Sequence, residues 1–426
     1  MTHIDWLVLT AANSVQARAY TAQLKARAKR GMFAPPSRWS VIPDPGERRV
    51  GSGGSTLWVL FKLANALVRS RPDARAIRQL FEGRRILIIH SGGESRRLCA
   101  YAAQGKIFLP LPCSTPNGHP ATLFDLIVTD LAGLPAPPGG QVLIAAGDVL
   151  LSFDPAAVDF TKPGVTGVAY PGPMERGSRH GVYVAGPDGC VHDFIQKPDE
   201  NTARARGAID AVGRVLVDTG LVSLDPASVE LWLESAGAQF RSGEITAGSG
   251  LLGDLGNGES PPIDLYQHLL MTMAPALDIS SYLEALITPQ GKGNARHLRQ
   301  LERLYRALHR HPFHVNVLPY CDFFHIGSSQ ELLSNVGTLS RTARTHRFSN
   351  FDRSFVADHA SLEGSFVYNS ILESAQISAE QGVLLESVHA RCPVELSGRN
   401  IVVGWPQEAR VPLRLPEGWG MVCLPV

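Results

Sequence analysis

The sequence predicts an α/β protein with a Rossmann-like, mostly parallel mixed sheet, followed by a C-terminal parallel β-helix. Two patterns indicate this architecture. Over the first part of the chain, short apolar segments such as RRILIIH and QVLIAAG alternate with segments of helical composition, as expected when strands and helices form layers. Towards the C-terminus, aliphatic residues recur about every six positions between small or polar residues. A chain of 426 residues is long enough for two such domains.

The predicted elements of the first domain follow in order along the chain. DWLVLTAANSVQARAYTAQLKARAK is predicted as a strand and then a helix, WSVIPDP as a strand, GERRVGSGGST as a loop and LWVLFKLANALVRS as a helix. RRILIIHSGG is a strand that ends in a glycine turn. Later strands are predicted in QVLIAAGD, VTGVAYPG, HGVYVAG, VHDFIQKP and GRVLVDTGLVSL. Because ligands of such sheets bind at the carboxyl ends of the strands, the residues after ILIIH and LIAAG are the first site candidates.

The second domain is predicted from a change of period. Residues 281–312 carry leucines three and four positions apart and are expected to form a helical connector. Beyond them, steps of five or six residues are typical of a parallel β-helix, with antiparallel strands as the alternative. The aliphatic residues expected inside are Val356, Leu362, Ile371, Ile377, Val383, Val388 and Val394. We therefore expect a catalytic domain over residues 1–312 and a β-helix over residues 313–426, which supports the fold or forms a homo-oligomer.

Composition excludes several classes of partner. Forty Lys and Arg residues against 39 Asp and Glu residues give a net charge of +1, so no overall field attracts nucleic acid or an anionic membrane. The six cysteines are scattered without a C-x-x-C pair, and no apolar stretch reaches the length of a membrane span. The N-terminus also lacks the basic start of a signal peptide. We expect a cytoplasmic enzyme.

The segment SGGESRRL is the strongest local signal for an anion site. It comes directly after a buried strand, and its two glycines let backbone N–H groups approach an anion while Ser and Arg side chains donate further hydrogen bonds. The alternative is a tight turn with solvated arginines. The residues expected to contact a nucleoside triphosphate are Gly92, Gly93, Ser95, Arg96, Arg97 and Lys106.

A second glycine-rich segment, GSGGST, leads into a predicted helix. Free amides at a helix N-terminus favour a phosphate or a base edge, and a flexible surface turn is the alternative. The nucleotide-binding residues expected here are Gly51, Ser52, Gly53 and Gly54. Neither segment is a P-loop, because no G-x-x-x-x-G-K-[ST] sequence occurs in the chain.

Two aspartates are candidate ligands of Mg²⁺. Asp148 ends the buried strand LIAAG, so its carboxylate is expected in the crevice above the sheet. Mg²⁺ commonly takes one or two carboxylates together with phosphate oxygens, which suits a metal–nucleotide complex. Asp264 is a candidate second ligand, although an Asp that precedes a helix is ordinarily an N-cap.

The sugar end of the site is predicted from two later strand ends. Lys197 precedes a proline at the end of a strand, where a fixed ammonium can hold a sugar phosphate. A plain solvated lysine is the alternative. Gly181 begins the preceding strand, and Asp218 and Gly220 lie in VDTGLVSL, where a carboxylate can bind sugar hydroxyls or simply form a turn.

The motifs GGESRRL, GKI, AGD, QKP and TG resemble those of sugar nucleotidyltransferases, in the same order along the chain. More narrowly, LVLTAANSVQARAYTAQL, GSGGST, IIHSGGESRRL, DLYQHLL and FFHIGSSQELL resemble the fucose-1-phosphate guanylyltransferase region of the bifunctional fucokinase/GDP-fucose pyrophosphorylase family. The resemblance implies that the glycine pair, the arginines and Lys106 bind the triphosphate, that Asp148 binds Mg²⁺ and that Lys197 binds the sugar phosphate.

The expected reaction is attack of a sugar 1-phosphate oxygen on the α-phosphorus of GTP, with GDP-sugar formed and pyrophosphate released. Positioning and charge neutralisation by Arg97, Lys106, Lys197 and Mg²⁺ on Asp148 would supply the catalysis. The alternatives are a UDP- or ADP-sugar made from another sugar 1-phosphate, and a non-catalytic module that binds a nucleotide sugar. No kinase phosphate loop follows the β-helix pattern, so phosphorylation of free fucose is not expected.

Overall fold

The structure is a computed structural model. It describes residues 4–32, 38–93, 97–102, 104–115, 118–241, 243–286, 295–342, 351–352, 354–356, 365–373, 375–376, 382–406 and 408–423. The predictions made for Ser95, Arg96, Leu362 and Ile377 lie outside the described residues.

Among the described residues, fifteen strands precede the C-terminal region. They are β1 (Trp6–Ala11), β2 (Arg38–Pro43), β3 (Arg85–His90), β4 (Pro110–Ser114), β5 (Pro120–Thr122), β6 (Gln141–Ala146), β7 (Val149–Ser152), β8 (Val165–Pro173), β9 (Gly181–Ala185), β10 (Val191–Gln196), β11 (Arg214–Leu224), β12 (Ala238–Arg241), β13 (Glu244–Ala247), β14 (Phe313–Val317) and β15 (Asp322–His325).

The helices are α1 (Ser14–Lys29), α2 (Gly51–Val68), α3 (Ile77–Phe81), α4 (Leu123–Ala132), α5 (Met174–Gly177), α6 (Glu200–Ala205), α7 (Pro226–Ser235), α8 (Leu251–Asn257), α9 (Met271–Met273), α10 (Ile279–Leu286), α11 (Ala295–Leu308) and α12 (Ser329–Thr342). A π-helical turn over Tyr266–Leu270 leads into α9, and single 3-10 turns cover Pro45–Glu47, Cys99–Tyr101, Lys106–Phe108 and Pro155–Ala157. In the part of the chain that the structure describes, no helix has the length and apolar character that a membrane crossing requires.

The central sheet is mixed. Strands β2, β1, β3 and β6 are neighbours in that order and run parallel. Strand β11 then pairs with β6 in the antiparallel sense and continues to β9 and β10, while β8 pairs with β11 and with β14. The predicted α/β fold with a mainly parallel mixed sheet is confirmed.

Helices cover both faces of this sheet, which explains why its central strands are apolar throughout. In β3, Leu87 and Ile89 belong to one buried cluster with residues of α1 and α4. Ile86 and Ile88 point to the other face and belong to a second cluster, with residues of α2, α7 and α11. Successive side chains of a strand point to opposite faces, so a strand between two helical layers needs an unbroken apolar sequence.

The described residues of the C-terminal region form short strands. They are β16 (Phe351–Asp352), β17 (Phe355–Val356), β18 (Phe366–Tyr368), β19 (Ile371–Leu372), β20 (Ala375–Gln376), β21 (Leu384–Glu386), β22 (His389–Ala390), β23 (Val394–Leu396), β24 (Ile401–Val403), β25 (Leu413–Leu415) and β26 (Gly420–Val422). They form three stacks, β16-β18-β21-β24-β26, β17-β19-β22 and β20-β23-β25, in which every described pair is parallel.

Five of the predicted interior positions are described: three are fully buried, Val356 is partly buried against the same cluster, and one is exposed. Val383, Val388 and Val394 are fully buried, as predicted. Ile371 is 43% exposed, whereas the next residue, Leu372, is fully buried. The pattern of the sequence does not distinguish these two neighbouring aliphatic residues, and the pairing of β19 with its neighbours decides which one faces inward.

The chain stays in the central unit beyond the predicted domain boundary at residue 312. Strand β14, which the sequence analysis assigns to the β-helix, pairs with β8 in the central sheet, and β15 pairs with β7. An alternating apolar pattern predicts a strand, but it does not say which sheet that strand joins. The C-terminal stacks in turn share a core with the central unit, since Phe366, Leu384 and Ile401 belong to the same buried cluster as Tyr101.

Candidate active site

A cleft of about 760 Å³ opens at the carboxyl edge of the parallel strands. Strands β2, β3 and β6 contribute the residues that follow them, as expected for parallel strands, and so does β10, whereas β11 and β9 contribute residues from within the strand or at its start. From one end of the sheet to the other, the contributions are Asp44 after β2, Gly92 and Gly93 after β3, Asp148 after β6, Asp218 to Gly220 within β11, Gly181 at the start of β9 and Lys197 after β10.

Asp148 and Lys106 form an ion pair at the middle of the cleft. Their side chains are only 23% and 15% exposed, so solvent screens the pair little. Gly147 allows Asp148 to take this position, because its N–H donates to the His90 carbonyl at 2.9 Å and a Cβ there would lie 2.6 Å from the same oxygen. Residues of any larger type at 147 would push the ends of β3 and β6 apart.

A histidine and a glutamate from the C-terminal side of the chain complete this centre. The His325 imidazole lies between two carboxylates, with Nε2 3.6 Å from an Asp148 oxygen and Nδ1 3.0 Å from a Glu331 oxygen. Strand β15 places His325 there by pairing with β7, and the Ile326 N–H donates to the Asp148 carbonyl at 2.7 Å. Glu331 is fixed at the start of α12 because it accepts hydrogen bonds from Gly327 N–H and Ser328 Oγ.

These contacts set the charge states at the centre of the cleft. Burial alone would raise the pKa of Asp148, but His325 and the ammonium of Lys106 outweigh it and hold that pKa well below its usual range. The interaction with Asp148 raises the pKa of His325 in spite of burial, and Glu331 adds to this effect. Asp148 is therefore a carboxylate at every physiological pH.

The glycine pair after β3 is held by polar contacts with β1 and α1. Ser91 N–H donates to Thr10 Oγ1 at 3.0 Å, Ser91 Oγ donates to the Thr10 carbonyl at 2.7 Å, and Gln16 Nε2 donates to the Gly93 carbonyl at 3.2 Å. Gly92 packs closely on β1, since a Cβ there would lie 3.2 Å from the Ala11 carbonyl carbon. Gly92 and Gly93 line the cleft, and their contact with a nucleoside triphosphate stays a prediction.

Arg97 also lines the cleft, with an exposed side chain. Its carbonyl accepts a hydrogen bond from the Ser329 N–H at 2.8 Å, which ties the arginine segment to the first residue of α12. The same helix holds Glu331, so α12 supports two separate parts of the cleft.

The GSGGST segment differs from its prediction as a loop, because helix α2 already begins at Gly51. Gly51 and Ser52 line the cleft. Gly53 and Gly54 lie outside its lining, and their N–H groups donate to the Ile263 carbonyl at 2.8 and 3.1 Å. A Cβ at Gly53 would lie 2.9 Å from the Asp264 backbone, so these two glycines allow close packing and do not offer amides to a nucleotide.

Asp264 has the contacts of an N-cap, which was the alternative to a metal ligand. Its Oδ1 accepts hydrogen bonds from the N–H groups of Tyr266 and Gln267 at 2.9 Å, and its Oδ2 accepts one from Ser52 Oγ at 3.3 Å. Asp264 is not among the residues that line the cleft. In the described part of the chain, no three His, Cys, Asp or Glu side chains are grouped so that they could hold a metal ion.

A bulge in β11 directs the sugar-end residues into the cleft. The register of β11 shifts between Asp218 and Val222, and Gly220 has a φ of +76° that favours glycine. The Asp218 carboxyl is buried and accepts a hydrogen bond from Tyr183 OH at 3.0 Å; burial raises its pKa to about 7. A carboxyl in this state can both donate and accept hydrogen bonds near neutral pH.

Lys197 lies at the far end of the cleft. Its side chain is exposed, and its backbone has a φ of +49°, held by a hydrogen bond from its N–H to the His180 carbonyl at 2.9 Å. The His180 ring packs against His325, with ring centroids 5.6 Å apart, and so joins the Lys197 end to the centre. Gly181 must be glycine here because a Cβ would lie 2.4 Å from the Phe194 ring.

Comparison with known proteins shows where the chain belongs. The family model of the fucose pyrophosphorylase domain matches residues 78–426. The chain is a member of the fucose pyrophosphorylase family. This membership agrees with the family resemblance predicted from the sequence motifs.

Curated relatives share the family's name but are longer. The chain is 31% identical over 51% of its length to a bifunctional fucokinase/GDP-fucose pyrophosphorylase of Arabidopsis thaliana, of which the match covers 23%. It is 27% and 26% identical over 77% of its length to fucose-1-phosphate guanylyltransferases of Mus musculus and Homo sapiens, of which the matches cover 56% and 54%. The chain thus spans about half the length of the mouse and human relatives.

Sequence reasoning missed several cleft residues of this fucose pyrophosphorylase family member. His325 and Glu331 lie in FFHIGSSQELL, a segment used above only for its resemblance, and His180 was not singled out. Asp44 was overlooked although it directly follows a predicted strand, and the rule used for Asp148 would have found it. Nothing in the local sequence indicates that His325 meets Asp148, because their contact depends on the pairing of β15 with β7.

Proposed function

We propose that this chain catalyses the transfer of a guanylyl group from GTP to L-fucose 1-phosphate, with GDP-fucose and pyrophosphate as products. One observation carries the proposal: a member of the fucose pyrophosphorylase family presents a glycine pair, a Lys–Asp centre and a distant lysine in one row along the carboxyl edge of its sheet. In that order, the triphosphate would lie at the glycine pair, the reacting α-phosphorus at the Lys–Asp centre and the sugar phosphate towards the distant lysine.

The reaction requires positioning and charge neutralisation from the protein. An oxygen of the sugar phosphate, already anionic, attacks the α-phosphorus, and the bond from that phosphorus to the bridging oxygen of pyrophosphate breaks. No protein nucleophile and no proton transfer are needed. Gly92 and Gly93 would cradle the triphosphate, and Arg97 and Lys106 would stabilise charge that moves onto the leaving pyrophosphate.

Asp148 would hold a Mg²⁺ ion. It is a half-buried carboxylate whose pKa lies well below its usual range, and oxygen donors of this kind are what Mg²⁺ prefers. The metal would supply positive charge that offsets the negative charge of the phosphates. Lys106 pairs with Asp148 and is therefore close to the place proposed for the metal and the phosphates. Its flexible side chain would then turn the ammonium from Asp148 to the phosphates. His325 would keep Asp148 oriented.

The other end of the cleft would take the sugar 1-phosphate. Lys197 supplies a cation with an exposed side chain that faces the cleft, and a lysine acts on phosphate as a mobile point charge. Asp218 and Gly220 lie between Lys197 and the Asp148 centre in the order of the strands, where sugar hydroxyls would lie. Gly181 provides close backbone approach at the same end.

The C-terminal stacks would form a parallel β-helix, as the sequence pattern predicts. Paired strands in them lie 16 to 19 residues apart, which suits turns of three hexapeptides. Homo-oligomer formation through this region is part of the same proposal. The cytoplasm is the compartment we propose, since the described cysteines are free thiols, as expected in a reducing environment.

A grid of pyrophosphate-release assays tests the function. GTP, ATP, UTP and CTP would each be combined with the 1-phosphates of L-fucose, L-arabinose, D-mannose and D-glucose. The highest kcat/KM is expected for GTP with L-fucose 1-phosphate. A highest kcat/KM with UTP or ATP would favour the alternative pyrophosphorylase. Binding of a nucleotide sugar, with no turnover for any combination of substrates, would favour the non-catalytic module.

A further inference from the structure

Asp44 lies at the end of the cleft that the phosphate chemistry does not use. It follows β2, the edge strand of the parallel half of the sheet, and Lys197 follows β10 at the opposite edge. The glycine pair follows β3, two strand positions from β2. At about 4.8 Å per strand, Asp44 lies roughly 10 Å from the proposed triphosphate cradle, on the side away from the sugar. This is where the base of the nucleotide would lie.

Asp44 is partly shielded from water. It lines the cleft together with Ser52 and Ser55. The Asp44 N–H donates to the Ala11 carbonyl at 2.8 Å, which fixes its backbone, and its Oδ2 accepts a long hydrogen bond of 3.4 Å from the Val50 N–H. Burial raises the pKa of the Asp44 carboxyl to about 6, against the opposing effects of nearby donors. A ligand that donates two hydrogen bonds would stabilise the ionised form of such a carboxyl group.

Guanine is the base whose edge matches a carboxylate. Its ring N1–H and its exocyclic amino group are adjacent donors, and an ionised carboxylate offers two acceptor oxygens at a similar spacing. Adenine and cytosine each place an acceptor beside their amino group, and uracil has a single donor between two acceptors. We propose that Asp44 is the residue that selects guanine, by accepting from N1–H and the 2-amino group of GTP. This inference rests on the guanylyl transfer proposed above.

A purely structural role is the competing explanation for Asp44, since its contact with Val50 helps to shape the turn before α2. The two roles predict different results for Asp44→Asn. The asparagine keeps one acceptor oxygen for Val50, so the turn keeps its hydrogen bond. It replaces the second acceptor oxygen by an amino group. This amino group is repelled by the 2-amino group of guanine, but it can donate a hydrogen bond to a base that carries an oxygen at the same position. Only the role in base recognition makes the effect depend on the base.

The experiment compares three nucleotides that differ at one position of the purine: GTP, inosine triphosphate without the 2-amino group, and xanthosine triphosphate with an oxygen in its place. The kcat/KM for each would be measured with L-fucose 1-phosphate. The wild-type protein is expected to prefer GTP over inosine triphosphate about ten- to hundredfold, the range of one charged hydrogen bond. In Asp44→Asn this preference is expected to fall to about twofold or less, and xanthosine triphosphate should rise at least tenfold relative to GTP.

Glu47→Gln is the matched control. Glu47 is an exposed carboxylate in the adjacent 3-10 turn and does not line the cleft. The substitution therefore removes one negative charge, as Asp44→Asn does, but leaves the proposed base site unchanged. Its nucleotide preferences should equal those of the wild-type protein. Equal changes in Glu47→Gln and Asp44→Asn would overturn the inference, because general charge would then explain the effect.

Two further results would overturn the role of Asp44, and the first of them needs no variant. One is equal use of GTP and inosine triphosphate by the wild-type protein. The other is an Asp44→Asn protein whose GTP to inosine triphosphate ratio matches the wild-type ratio. Failure of the proposed function has a separate signature, namely no pyrophosphate with any sugar 1-phosphate. The Kd values of the same three nucleotides would then be compared. If Asp44 selects the base, the wild-type protein should bind GTP more tightly than inosine triphosphate, and Asp44→Asn should lose this preference. Equal Kd values for GTP and inosine triphosphate in the wild-type protein would contradict the role of Asp44.

Discussion

Replacing Asp148 by Asn tests the centre of the proposed site most directly. The substitution keeps the size of the side chain and removes its negative charge. In the structure this charge interacts with the Lys106 ammonium and with His325 Nε2 at 3.6 Å. The side chains of the three residues are 15% to 27% exposed, so the interactions are only weakly screened.

In the loaded site proposed above, the Asp148 charge would act on Mg²⁺ and on His325, and these two charged interactions set the magnitude. Each interaction of this kind contributes about 1.5–3 kcal/mol, so the pair gives roughly 3–6 kcal/mol. At about 1.4 kcal/mol per factor of ten, we expect kcat to fall about a hundred- to ten-thousandfold in Asp148→Asn. The fall should be larger at low Mg²⁺ than at saturating Mg²⁺, because the variant lacks the carboxylate proposed to hold the ion.

The assay is steady-state pyrophosphate release with both substrates saturating, over a series of Mg²⁺ concentrations. Circular dichroism and the urea midpoint would verify that the variant is folded. Asp154→Asn is the control: Asp154 is exposed, caps the 3-10 turn after β7 and lies outside the cleft lining, so its kcat should stay within about twofold of wild type. An Asp148→Asn protein that retains a tenth or more of the wild-type kcat would refute the reasoning.

Three other predictions concern the sugar end, a buried carboxyl and a glycine. Lys197→Ala should raise KM for the sugar 1-phosphate about ten- to hundredfold and leave KM for GTP nearly unchanged; a defect confined to GTP would contradict it. Burial raises the pKa of Asp218 to about 7, so the folded protein keeps a proton that the unfolded chain releases near pH 4. Stability should therefore fall as pH rises from about 4 to 7, and urea unfolding of Asp218→Asn should lack this fall, which amounts to at most about 4 kcal/mol. Gly147→Ala places a Cβ 2.6 Å from the His90 carbonyl and should lower the free energy of unfolding by about 1–3 kcal/mol, with a loss of turnover; an unchanged urea midpoint would argue against this close approach.

The candidate site was partly predictable because one geometric rule connects sequence to position. A buried apolar strand followed by Gly or Asp places those residues at the carboxyl edge of the sheet, and this rule located Gly92, Gly93 and Asp148. The rule fails where a residue's partner is far away in sequence. The N–H groups of Gly53 and Gly54 look available in the sequence, but the Ile263 carbonyl accepts from both.

The sequence alone determined the α/β class, the mixed sheet and the family, because periodicity, strand composition and short motifs are local properties of a chain. Tertiary structure decided that β14 joins the central sheet, and that β15 carries His325 to Asp148, 177 positions earlier in the chain. It also decided that Leu372 and not Ile371 faces the interior of the stacks. The physical reason is the same in each case: a strand's own residues specify that it is a strand, while its partner and register follow from which of many possible pairings buries the most apolar surface and satisfies the backbone.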